Sequence, residues 1–384
     1  MKKFHTDNLM KFLKTFVRHK LRDHKYRHLR RLNNAQYKEI MLRNAIPDSP
    51  CDGESDWLAL WQRFGVKVSP RQYRVFHHYI GPNLHIVPEE VCNCFIEPVL
   101  CPEELRGPYL DKNFFDRLLP HGFLPTSVCR CIDGHFYDAE YRLLDLDDTR
   151  LRSLLNGFSA VIVKPSFNST QGDGVELFSL SADDNWLSAS DRSPLSVALL
   201  KARWSGDFIM QQAISQSAFT AQFNPSSVNT VRLAVYRSVA DDSCHILGAF
   251  MRIGAAGNLV DNVHGGGCFV AIKPDGSLGD TVFSQYAEPS PLSRAYPDLH
   301  SSCFPNWDRI TAFGKDVCSR IPHHRLLALD IALDTNDNPC LIEFNIHYFG
   351  TWPFQFSYGS AFGDYADEII EYCLKNNPVR ILRY

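Results

Sequence analysis

LLALDIAL (residues 326–333) and PCLIEFNI (339–346) are two apolar runs joined by the turn-forming DTNDN, and each holds a carboxylate in its middle. Two such runs around a polar five-residue connection predict a β-hairpin. With the turn centred between Asn336 and Asp337, facing positions sum to 673, so Asp330 faces Glu343. Side chains alternate along a strand, which puts Asn345 on the same face as Glu343. Opposed Cβ atoms lie about 4.5–5.5 Å apart, where like charges repel unless something positive sits between them. A hard divalent cation meets that need, and two carboxylates with an amide are oxygen ligands that magnesium accepts. The competing reading is an ion pair of Asp330 with an arginine such as Arg325, with Glu343 as a strand-end charge.

Working outward, VIVKPSFNSTQGDGV (161–175) reads as a strand ending on Lys164, then a polar loop holding Gly172 and Gly174, then a returning strand VELFSL. Glycines and hydroxyl residues let backbone N–H groups approach phosphate oxygens, and a lysine at the loop base adds a point charge. There is no GxxxxGK[ST], which excludes a Walker-type loop. In NPSSVNTVRLAVYRS (224–238), Val231, Leu233 and Val235 alternate with Arg232, and Asn229 and Arg232 are expected to face the ligand side. An arginine there can clamp a phosphate bidentately. DNVHGGGCFVAI (261–272) sets three glycines before a strand, where backbone can approach a ligand.

The segments DFIMQQAI, NTVRLAVYRS, CHILGAFMRIG and CFVAIKPDG, with the hairpin, predict a largely antiparallel sheet beyond Gly206, and RITAFGKDVCSRI a helix packed on it. Upstream, DKNFFDRLLPHGF reads as a helix and SVCRCIDGHFYD as a hairpin, whereas 45–110 reads as irregular, with short strands and helices. Twelve scattered cysteines lack the CxxC pairs of zinc sites and read as reduced, buried residues.

The chain of 384 residues has a net charge of −3, yet residues 1–31 carry eleven Lys and Arg against Asp7 and Asp23. There Leu9, Phe12, Leu13, Phe16, Val17 and Leu21 form one stripe of an α-helix. Two placements are open: the stripe docks on the body, or the helix lies on an anionic membrane surface or other anionic partner. No run approaches a membrane span, and the basic start lacks the apolar core of a signal peptide, so a cytoplasmic protein is expected, with a peripheral position at the inner face of the membrane as the alternative. Nothing points to nucleic acid.

Taken together, Lys164 with its glycine loop, SVNTVRL, DNVHGGG and the LLALDIAL–LIEFNI pair resemble the ATP-grasp superfamily, and within it the sugar-transfer-associated branch, over roughly residues 108–360. The resemblance implies an α+β fold in which two α+β subdomains grip ATP, here 108–205 with the phosphate-lid hairpin and 206–384 with the antiparallel sheet and metal site. A basic amphipathic helical segment (1–45) and an N-terminal region (46–107) precede them. It further implies that Lys112 and Lys164 are the two phosphate-binding lysines, that Arg232 contacts phosphate, and that Asp330, Glu343 and Asn345 hold Mg2+. Gln211 and Gln212 occupy the hinge where many relatives carry an acidic residue for the adenosine ribose. The implied activity is activation of a small-molecule or glycan carboxylate by ATP as an acyl-phosphate for attack by an amine, in polysaccharide biosynthesis; a sugar kinase and an inactive nucleotide-binding module are the alternatives.

Overall fold

The computed structural model describes residues 2–167, 172–258, 261 and 263–376, with residues 2–15 and His264 described by backbone alone. Two seven-stranded antiparallel sheets dominate it. The first contains β1 (Ser127–Ile132), β2 (His135–Asp138), β3 (Leu143–Leu144), β4 (Ala160–Pro165), β5 (Glu176–Leu180), β6 (Trp186–Ser188) and β7 (Phe208–Gln212), in the order β3-β2-β1-β7-β4-β5-β6. The second contains β8 (Thr230–Arg237), β9 (Cys244–Ile253), β10 (Cys268–Ile272), β11 (Leu278–Ser284), β12 (Pro289–Pro291), β13 (Leu326–Leu333) and β14 (Pro339–Asn345), in the order β12-β11-β10-β9-β8-β13-β14. The boundary expected at Gly206 falls one strand early. β7 pairs with β1 and β4, at the centre of the first sheet. A propensity for strand cannot say which of two sheets a segment joins.

Alternation along β13 explains how the second sheet is covered. Leu327, Leu329, Ile331 and Leu333 face the helix Trp307–Ser319, packing with Ile310 and Val317. Gly314 lets that helix come close, since a Cβ there would lie 2.4 Å from Leu233 Cδ2. On the opposite face, Ala234, Tyr236, Phe250, Leu326 and Ala328 pack with the N-terminal region and with Phe354, Ile369 and Ile370 of the helices Thr351–Tyr358 and Ala366–Asn376. That cover stops at Ala328. Arg232, Arg252 and Asp330 come next along the same face, beyond that cover.

The segment 45–110 is helical among its described residues, with helices Glu54–Gln62, Pro70–Ile80 and shorter turns, and holds no strand. Its aromatics, Trp57, Trp61, Tyr73 and Phe76, are fully buried, so packing overrides the Pro-rich local pattern. Two carboxylates, Glu97 buried and Glu89 half-buried, tie it to the chain after β14. Glu97 accepts from the backbone N–H of Tyr348 (3.1 Å) and Phe349 (2.6 Å), and Glu89 from Thr351 N (2.7 Å).

The basic segment is one helix, α1 (Lys2–Arg43). It docks through Tyr26, Leu29, Tyr37, Ile40 and Met41, a more C-terminal set than the predicted stripe. Phe16, Val17 and Leu21 of that stripe are 49, 52 and 65% exposed, while Leu9, Phe12 and Leu13 lie outside the described side chains. The DKNFFDRLLPHGF segment forms only two short turns, Lys112–Phe114 and Phe115–Leu118.

Candidate active site

A β-bulge decides the register of the hairpin. Near the turn the pairs are Leu333↔Pro339, Ala332↔Cys340 and Ile331↔Leu341, which sum to 672 and centre the turn on Asn336. Asp334 closes it by accepting from the backbone N–H of Asn336 and Asn338 at 2.8 and 2.9 Å. Beyond Leu341 one extra residue, Ile342, enters β14, and the pairs become Asp330↔Glu343 and Ala328↔Asn345. Unbulged pairing would put Ile342 opposite Asp330 and turn Glu343 toward the core. The facing of the two carboxylates anticipated from a simple hairpin is therefore reached by a different route.

Four cations surround the pair. Arg232 Nε lies 3.4 Å from Asp330 Oδ1, Arg252 Nη2 lies 3.3 Å from Asp330 Oδ2, and Lys112 Nζ lies 3.3 Å from Glu343 Oε2. Lys164, the buried penultimate residue of β4, feels both Lys112 and Glu343. Arg325, the alternative partner, is elsewhere and pairs with Asp242 at 2.6 Å. The backbone brings the lysines together, because Lys112 N–H donates to Ser166 C=O at 2.9 Å, two residues past Lys164.

The electrostatics follow from burial and from these neighbours. Asp330 is 1% exposed, and burial pushes its carboxyl up against the pull of Arg232 and Arg252. At Glu343 burial acts in the same sense, but Lys112, Arg232, Lys164 and Arg252 together outweigh it and hold the carboxyl down. Burial, reinforced by Lys112, lowers Lys164 to about 8. Arg252 was not anticipated from the sequence. It is anchored by Asp261 (3.3 Å) and donates to Thr230 Oγ1 at 3.0 and 3.1 Å. An arginine inside the apolar strand CHILGAFMRIG, at the same parity as Phe250, was the available signal.

The remaining expected residues are placed as follows. Asn345 donates through Nδ2 to Ala328 C=O at 3.2 Å, leaving its oxygen as the atom it can offer a cation. Asn229 is fully buried and belongs to loop scaffolding: its Nδ2 donates to Thr220 and Asn224 carbonyls at 2.9 and 2.8 Å, and its Oδ1 accepts from Gly254 N. It shares the parity of Val231, so it cannot face the side Arg232 faces. Gln211 is buried and donates to Pro125 C=O (3.3 Å), whereas Gln212 is exposed. Gly172 and Gly174 both have positive φ, and a Cβ on Gly174 would meet Pro165 at 2.9 Å. Loop positions 168–171 and Asn262 lie outside the described residues.

A cavity of about 920 Å³ opens beside the hinge, lined by Phe123, Gln212, Ile214, Phe313 and Cys340 among others. None of the clustered charges lines it. Among the described residues, no group of three or more His, Cys, Asp or Glu could hold a metal; the candidate set is two carboxylates and an amide.

Comparison with known proteins bears on the chain as follows. A search of curated proteins finds no match. Among solved structures it is similar to the biotin carboxylase domain of 2-oxoglutarate carboxylase from Hydrogenobacter thermophilus, with 10% identity and a TM-score of 0.41, over 72% of this chain and 47% of that one. The chain thus spans about half of that protein's length. D-alanine–D-alanine ligase from Bacillus anthracis gives 12% identity and a TM-score of 0.37, over 72% and 69%. D-cycloserine synthetase gives 15% and 0.39, over 71% and 73%. The family model described as sugar-transfer associated ATP-grasp matches residues 146–369, starting after Lys112 and including the hairpin. Since that match spans more than half of the 384 residues, the chain belongs to the sugar-transfer associated ATP-grasp family.

Proposed function

We propose that this chain is an ATP- and magnesium-dependent ligase that activates a carboxylate as an acyl-phosphate and passes it to an amine, in the cytoplasmic assembly of a cell-surface polysaccharide. The observation that carries this reading is the facing pair Asp330 and Glu343 enclosed by Lys112, Lys164, Arg232 and Arg252. Four cations are more than two carboxylates and Asp261 need. A polyphosphate would take up that excess and draw the cations off the carboxylates.

The residues fit magnesium. Asp330 Oδ1 is buried without a hydrogen-bond partner, faces Glu343, and shares a strand-pair end with the Asn345 amide. Hard oxygen donors combined with substrate phosphates suit this ion. Held by Asp330, Glu343 and Asn345, magnesium would neutralise phosphate charge.

The protein's own part is positioning and neutralisation. Lys112 and Lys164 would grip phosphate oxygens of ATP, a role supported by their closeness to Glu343. Arg232 and Arg252 approach from the second sheet, fixed by Asp330, Asp261 and Thr230. A substrate carboxylate oxygen attacks the γ-phosphorus and ADP leaves; the amine then attacks the acyl carbon and phosphate leaves, its proton passing to solvent. The sugar setting accords with the sugar-transfer association of the family.

The test is incubation with ATP, magnesium, mixed uronic acids and hydroxylamine. ADP together with a hydroxamate supports the ligase. ADP with a phosphorylated hydroxyl and no hydroxamate makes the enzyme a kinase, and ATP binding without ADP makes it a binding module.

A further inference from the structure

We propose that the outward face of α1 is a docking surface for anionic phospholipid. The proposal goes beyond the ligase reading and does not rest on it. Val17, Lys20, Leu21, His24, Arg27, His28 and Arg31 recur at i, i+3, i+4, i+7, i+10, i+11 and i+14, the spacing of one helical face, and every one of them is exposed. No acidic residue lies on this face; Asp23 is off its line and is engaged by Arg22 at 3.2 Å.

The helix cannot roll to hide these apolar groups against the body. Its opposite side is fixed by Tyr26, whose hydroxyl donates to Lys67 C=O at 2.9 Å, by Arg22 lying 4.6 Å from the centre of the Phe95 ring, and by buried Tyr37, Ile40 and Met41. Phe16, Val17, Leu21 and Leu32, 49–65% exposed, thus remain in water beside cations. Water is a costly neighbour for such a row, and a soluble polyanion would satisfy only the charges. A bilayer surface satisfies both, since its headgroups take the cations and its acyl boundary takes the valine and leucines.

A groove of about 170 Å³ lined by His24, Arg27, His28 and Arg31 offers room for a phosphate headgroup. Charge asymmetry orients the molecule. The first 31 residues carry eleven Lys and Arg against two acids, whereas the chain as a whole is −3. The basic helix is attracted while the acidic remainder is repelled.

The experiment is co-sedimentation of the full chain with vesicles of phosphatidylcholine alone and of phosphatidylcholine mixed with phosphatidylglycerol. Binding is expected only to the mixed vesicles, and it should weaken as salt rises. The variant Lys20→Gln/Arg27→Gln/Arg31→Gln should lose roughly a hundredfold in affinity, about fivefold per cation. Val17→Ser/Leu21→Ser should also lose affinity, with melting temperature and ATP affinity unchanged in both because all five side chains are exposed. No binding to the mixed vesicles, binding unchanged in the triple variant, binding indifferent to Val17 and Leu21, or displacement by inorganic phosphate at constant ionic strength would each overturn the proposal.

Discussion

The Arg252 guanidinium reaches across the whole width of β8 to Asp330, from a strand that β13 does not touch, closing to 3.3 Å. This contact links the metal-binding candidate to Asp261 and, through Asp261, to Thr230 at the start of β8. Replacing Arg252 by Met should strand two buried carboxylates and cost about 3 kcal/mol of unfolding free energy. In the double variant with Asp330→Asn, part of that loss should return. Strict additivity in denaturant unfolding would show that the two residues are not coupled.

Asp330→Asn and Glu343→Gln should both abolish magnesium-dependent turnover, because each removes a charge from the proposed ligand set. Their effects on stability should be opposite. Burial outweighs the cations at Asp330 and raises its carboxyl, so near neutral pH the asparagine variant should melt higher. At Glu343 the cations win, so the glutamine variant should melt lower. Calorimetry showing the same sign for both would contradict these electrostatics.

If Lys164 grips phosphate as proposed, in ground and transition states alike, Lys164→Ala should raise KM for ATP and lower kcat. Because burial brings Lys164 down to about 8, its charge is lost as pH rises through that value. In the wild type, kcat/KM for ATP should therefore fall above pH about 8. In Lys164→Arg that break should be absent, and its persistence would assign the titration to another group.

Glu97 gives a pH test remote from the reacting atoms. Burial raises its carboxyl to about 7, against two backbone N–H groups that favour its ionised form. A folded value above the unfolded one means stability is fully present below the ordinary carboxylate range and is lost as pH rises through about 7. Glu97→Gln should flatten that slope in melting temperature between pH 5 and about 8. Glu97→Ala should cost about 2–4 kcal/mol by orphaning the N–H groups of Tyr348 and Phe349, and should lower turnover through the loop that follows Asn345. Turnover unchanged in a folded Glu97→Ala would separate that loop from the site.

From the sequence alone came the two apolar runs, their polar turn and the carboxylates within them, because strand alternation is local and burying a charge in an apolar run demands a reason. The family followed from the order of motifs. The same locality explains what was missed. No pattern in one strand can announce the Ile342 bulge, since a bulge exists only relative to a partner strand, and the pairing of Asp330 with Glu343 depends on it. Arg252 stands 78 positions before Asp330 and two strands away, so only the assembled sheet could bring them together. Asn229 looked like a ligand-facing amide until the surrounding carbonyls used its hydrogen bonds. The apolar residues of α1 show the division most plainly. Their helical spacing is written in the chain, but whether that stripe is buried or bare was decided by Tyr26, Tyr37, Ile40 and Met41, which won the contact with the body and left Val17 and Leu21 facing water.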